Sequence, residues 1–220
     1  MKVLSINVSI PRKIICNGKT VNTSIFKKPI HEKVKLSKLG INGDKQADLS
    51  AHGGKNKSVY AYSYSHYKYW GKILNKNFSK EYGLVGENLT IDDFNEKDYF
   101  IGDEIQIANT VLKITQPRIP CYKLGIKMNE KNFMKYFIDY SHLGMYMKVI
   151  KNGEIEKNDN VELIHREKNS MSVYDVSKLI FNEYADINKI KKALGMSYLS
   201  EEIKKRLTKT LVKLGHYEFT

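Results

Sequence analysis

Apolar and polar positions alternate in short bursts along the first three quarters of the chain. VLSINVSI, near the start, predicts an opening strand, and SVYAYSY at 58–64 is β-branched and aromatic. ENLTI, EIQIA, VLKITQ, GMYMKVI and NVELIH repeat the alternation, punctuated by IGDE, KNGE and KNDN. GMYMKVIKNGEI reads as a hairpin closed by its Asn-Gly pair. Two segments carry helical spacing instead, SHYKYWGKIL and EKNFMKYFIDY. Many short strands with turn punctuation predict a barrel or sandwich rather than βαβ units.

The character changes after His165. MSVYDVSKLIFNEY opens with Ser172, followed three residues later by Asp175, a capping pattern ahead of an apolar-periodic run. ADINKIKKALG predicts a second helix with Gly195 as its C-cap. SYLSEEIKKRLTKTLVKLG predicts a third, with Ser200 as N-cap and Glu201 and Glu202 in the first turn, where the helix dipole favours acids. The expected organisation is a mainly β domain over 1–165 with a few helices, and a helical module over 171–220, joined through REKNS.

Composition changes this picture little. No apolar run approaches the roughly 18 residues that span a bilayer, and MKVLSINVSI lacks the longer apolar core of a signal peptide. A cytoplasmic location and no membrane partner are expected. The formal net charge is +13, which draws anionic partners. The lysines are scattered, however, and in KKRLTKTLVK helical spacing sets most of them on a solvated face.

The two cysteines, Cys16 and Cys121, show no Cys-x-x-Cys or His-x-x-x-His partner spacing. Cys16 reads as a small filler near a strand end. Cys121 differs. In PRIPCYKL the prolines 117 and 120 stiffen its approach, and Arg118 and Lys123 flank it. Neighbouring cations favour a thiolate, the form that attacks and binds metals. A buried inert thiol is the plain alternative. In GDKQADLSAHGGKNKSVYAY, His52, Gly53 and Gly54 precede Lys55 and Lys57. Paired glycines let backbone amides approach a ligand, and the lysines suit phosphate. Read alone, this is equally a tight turn. In GLVGENLTI, Glu87 and Asn88 enter a strand and either anchor a loop or read a heterocycle.

Taken together and in order, GDKQADLSAHGGKNKSVYAY, VGENLTI, IGDEIQIANTVLKITQPRIPCYKL and GMYMKVIKNGEI closely resemble the MOSC family, named for the C-terminal domain of molybdenum cofactor sulfurase. The match covers about residues 1–165, and the tail resembles the three-helix extension of the bacterial YiiM-type subgroup. The resemblance implies a β-barrel-like fold and molybdenum-pterin, not pyridoxal phosphate, as cofactor. It implies that Cys121 ligates the molybdenum. It implies reduction of N-hydroxylated compounds such as 6-hydroxylaminopurine, a toxic base analogue, with electrons from a partner flavoprotein reductase. The chain has no dinucleotide fingerprint of its own, which agrees with such a partner.

On that reading Cys121 is the soft metal ligand, and Arg118 and Lys123 attract the anionic cofactor. Gly53, Gly54 and Lys57 meet the pterin phosphate. Gln46, Glu87 and Asn88 face the pterin edge or the substrate, and Asp44 and Asp48 orient loop lysines. His52 is the candidate acid for the departing oxygen. A persulfide carrier on Cys121 is the alternative function, and a basic nucleic-acid-binding module ranks third, since no recognised motif supports it. The tail has three open roles: forming a homodimer, docking the reductase or covering the site.

Overall fold

The computed structural model describes residues 1–16, 18–47, 53–79, 81–181 and 186–216. Its strands in chain order are β1 Val3–Val8, β2 Arg12–Cys16, β3 Lys19–Thr23, β4 Lys28–Ile30, β5 Val34–Ser37, β6 Gly40–Ile41 and β7 Val59–Ser63. β8 Leu89–Ile91, β9 Glu104–Ile107, β10 Thr110–Pro117, β11 Met145–Lys151, β12 Gly153–Ile155 and β13 Val161–His165 complete them. The helices are α1 Ser65–Leu74, α2 Lys123–Met128, α3 Phe133–Tyr140, α4 Val173–Phe181, α5 Ile187–Leu194 and α6 Glu201–Lys213.

One eight-stranded sheet runs β13-β9-β10-β11-β7-β8-β1-β4. Its pairs are antiparallel except β7 with β8, whose connection passes through α1. The sheet curls almost onto itself. Lys2 bridges Asn160 beside β13, and Val3 N–H donates to Asp159 O at 3.0 Å. The fold is therefore β-dominated and barrel-like, as the alternation predicts, with a smaller sheet β12-β5-β6 and the ribbon β2-β3 attached.

One expected pairing is wrong. β11 pairs with β10 and β7, whereas β12 pairs with β5, so GMYMKVIKNGEI is not a hairpin. The chain passes from one sheet to another at Gly153. A Cβ there would crowd the side chains of Asn109 and Thr110, so glycine suits the passage.

Alternating side chains of the sheet bury Ile6, Leu89, Ile105, Leu112 and Met147 in one core. The helices after residue 171 contribute Val176, Ile190, Ile203 and Leu207 to that same cluster. Their caps form at the expected residues. Ser172 Oγ accepts from Asp175 N–H at 3.0 Å, and Ser200 Oγ accepts from Ile203 N–H at 3.4 Å. The module is tied to the sheet by backbone bonds, Ile101 N–H to Met171 O at 3.0 Å and Ser200 N–H to Thr115 O at 3.2 Å. A second, aromatic cluster gathers Tyr62, Tyr67, Trp70, Phe133 and Phe137 under α1 and α3. No described helix is long and apolar enough to cross a membrane.

Candidate cofactor and active site around Cys121

β10 ends at Pro117, opposite Met145, and Arg118 N–H donates to Gly144 O at 3.2 Å. Three residues later the chain turns into α2, with Leu124 N–H donating to Cys121 O at 2.9 Å. Cys121 is thus held between a strand end and a helix start. It is part-exposed and unbridged.

Two adjoining cavities meet at this residue, and both are also lined by Lys57, Lys123 and Tyr146. The larger, about 940 Å³, is bounded by Gly53, Gly54, Gln116, Ser200, Glu202 and Arg206. The smaller, about 90 Å³, is bounded by Ser24, Lys27, Asp44, Gln46, Asn88 and Arg118. The first turn of α6 therefore forms one wall of the larger cavity, so the tail borders the site. Lys57 Nζ spans the boundary and pairs with Glu202 Oε2 at 2.5 Å.

Positive charge dominates the rim. Arg118 is 6% exposed, yet its guanidinium donates to Val85 O and lies 4.7 Å from the Tyr60 ring centroid. Burial disfavours its charge, but Tyr60, Tyr146 and Cys121 outweigh that, and its pKa rises above the ordinary value. Lys27 is pushed down by burial, which its pairing with Asp44 at 2.5 Å only partly offsets. Burial raises Tyr146, so its hydroxyl keeps its proton despite the neighbouring Arg118.

The residues singled out from sequence separate into two groups. Cys121, Arg118, Lys123, Gly53, Gly54, Lys57, Gln46 and Asn88 all border the cavities. Gly54 has φ +102°, which only glycine adopts readily. Gln46 Nε2 donates to Lys57 O at 3.1 Å and so steadies the lysine turn. Asn88 spends its amide on Asp44, on Asn7 O and on Tyr60 N–H, which leaves it a bracing role.

Glu87 is the exception, and the expectation that it faces the pterin edge is corrected. It is wholly buried and borders neither cavity. Its carboxylate accepts from Tyr67, from Val85 N–H at 3.0 Å and from Thr90 at 2.8 Å. It fixes the 83–88 turn from inside. Asp44 pairs with Lys27 and accepts from Asn88 Nδ2 at 2.8 Å. His52 and Asp48 lie outside the described residues.

Sequence reasoning missed Ser24, Lys27, Gln116 and Tyr146. Gln116 stands beside a flagged proline and had that signal. Lys27 had none, because its partner lies far along the chain. Among the described residues, Gln116 Oε1 and Ser24 Oγ are buried without a hydrogen-bond partner. An unpaired buried polar atom costs about 1–3 kcal/mol. One borders each cavity, so the site is short of a polar ligand on both sides of Cys121. A soft sulfur ligand, a cationic rim and two unmet polar atoms fit an anionic, metal-bearing heterocycle.

A curled mixed sheet with a thiol at a cationic cleft defines a β-dominated protein with a cysteine-centred ligand site. The MOSC domain model matches residues 48–162. The chain is 32% identical over 199 residues to uncharacterized protein YflK of Bacillus subtilis (strain 168), covering 90% of this chain and 89% of that one. It is 30% identical over 174 residues to a protein named reductase from Gibberella moniliformis, covering 78% of this chain and 31% of that protein. The crystal structure of YiiM from Geobacillus stearothermophilus superposes with TM-score 0.80 at 25% identity, over 96% of this chain and 98% of that one. The chain belongs to the MOSC domain family.

Proposed function

We propose that this protein is a MOSC-type oxidoreductase that holds molybdenum-pterin through Cys121 and reduces N-hydroxylated compounds such as 6-hydroxylaminopurine. The observation that carries this reading is the opening of one cysteine onto two cavities, each with a buried polar atom lacking a partner. The likeness to a protein named reductase supports redox chemistry. When bound, molybdenum-pterin supplies the two-electron exchange and the affinity for oxygen. The net reaction consumes R–NHOH, two electrons and two protons, and gives R–NH₂ and water. The electrons come from a partner flavoprotein.

The chain's own residues bind, orient and supply protons. The Cys121 thiolate holds the metal. Arg118, Lys123 and Lys57 offset the cofactor's negative charge. Ser24 Oγ and Gln116 Oε1 gain the partners they lack, Gln116 as an acceptor of N–H or O–H groups. Tyr146 lines both cavities and keeps its proton, so its hydroxyl can donate to a group bound there. His52 is the proposed acid for the departing oxygen.

The test is reduction of 6-hydroxylaminopurine with an artificial electron donor, using protein produced in a cofactor-competent host. Cys121→Ser should lose at least about 100-fold in rate, the scale of a missing principal group. Equal rates for both proteins would sink the proposal. A persulfide on a metal-free, inactive wild type would point to the sulfur carrier instead.

A further inference from the structure

A second constellation lies outside the Cys121 cleft. We propose that His66, Glu96 and His142 form a binding site for one divalent transition-metal ion of the Zn²⁺ class. His66 sits in the first turn of α1, Glu96 in the turn after β8, and His142 in the segment between α3 and β11. Their ligand atoms lie within 4.8 Å of one another. Glu96 Oε2 is 2.9 Å from His66 Nε2 and 2.7 Å from His142 Nδ1. In a tetrahedron of Zn–N and Zn–O bonds, ligand atoms stand ~3.4 Å apart. An ion therefore needs the two carboxylate contacts to open by roughly half an ångström, and the two imidazole nitrogens, up to 4.8 Å apart, to close by about 1.4 Å.

The surroundings are those of a metal centre. Imidazole and carboxylate ligands suit Zn²⁺, Ni²⁺ and Co²⁺. Two of the three ligands are also oriented from behind. His66 Nδ1 meets the Tyr140 hydroxyl at 2.9 Å, and Glu96 Oε1 accepts from Gly144 N–H at 2.8 Å. With the His66 proton on Nδ1, where it donates a hydrogen bond to Tyr140 Oη, Nε2 is free for the ion. His142, 12% exposed, can carry its proton on the outer Nε2. Glu96 is fully buried, and its carboxylate oxygens meet both imidazoles and Gly144 N–H. A buried carboxylate flanked by two imidazole nitrogens is a donor set that a divalent cation can pair with.

The site would also staple distant segments. Glu96 O accepts from Tyr174 N–H of α4 at 3.0 Å, and Gly144 O accepts from Arg118 N–H. The ion would therefore brace the strand start that supports the Cys121 loop.

The test uses tag-free, metal-stripped full-length protein with both cysteines replaced by serine, titrated with Zn²⁺ by calorimetry and with Co²⁺ by absorption. One equivalent of Zn²⁺ should bind and raise Tm, and Co²⁺ should give tetrahedral d–d bands without thiolate charge transfer. His142→Ala and Glu96→Gln should abolish both effects. Tyr140→Phe should keep the stoichiometry but weaken binding roughly 10–100-fold. If Glu96→Gln does not fold, His142→Ala on the part-exposed ligand carries the test alone. The proposal is overturned by no binding in the cysteine-free protein, or by binding that survives His142→Ala.

Discussion

Lys127 shows how burial leads the tuning of a residue in this molecule. Its ammonium lies 5.6 Å from the Phe26 ring centroid, and burial lowers its pKa from 10.5 to about 8. Arg118, Lys27 and Arg12 push the same way, and Glu87 opposes them. The sign follows directly. Between 8 and 10.5 the unfolded chain holds a proton that the folded chain has released, so stability rises with pH across that window. Lys27 is lowered too and adds to the slope. Denaturant titrations below and above the window should show Lys127→Met with a shallower rise than wild type. An unchanged slope would remove Lys127 from this account.

The same residues explain what local sequence conceals. Cys121 was legible because proline and cation neighbours surround it in the chain itself. Lys27 and Glu96 were not, since each becomes special only through partners brought from elsewhere in the fold. Glu96 in particular sits in IDDFNEKDY, which reads as a solvated turn, and is nonetheless wholly buried.

Among elements, α6 joins two tasks. Its first turn lines the larger cavity through Glu202, while Ile203, Leu207 and Leu211 are fully buried against the sheet. Ser200 caps it and also donates its N–H to Thr115 O. Ser200→Ala should cost about 1 kcal/mol, and Leu207→Ala about 2–5 kcal/mol, each visible as a lower Tm. A Leu207→Ala protein as stable as wild type would show that the helix does not share the core.

Helix caps and strand alternation were readable because they are local. The ends of α1, the N-caps Ser172 and Ser200 and the C-cap Gly195 fall at the residues the pattern picks out. The pairing of β12 with β5 was not readable, because register between distant strands is set by packing and not by turn residues alone. α2 also escaped, since six residues are too few to display a helical period.

For the whole molecule, the continuous apolar cluster under both sheet and C-terminal helices is the main mechanical fact. Removing residues 171–220 would uncover Ile101, Ile105 and Leu112 at one face of the sheet. The truncated protein should therefore lose cooperative thermal unfolding and aggregate. A truncated chain that is monomeric and melts sharply would instead support an independent helical domain. The +13 charge is spread along the chain, and Lys57, Arg118 and Lys123 are the cations gathered about Cys121. Metal analysis tests this arrangement most directly, on full-length protein made in a cofactor-competent host. The account predicts one molybdenum per wild-type chain and none on Cys121→Ser, with both proteins equally folded. Molybdenum retained in full by Cys121→Ser would contradict it.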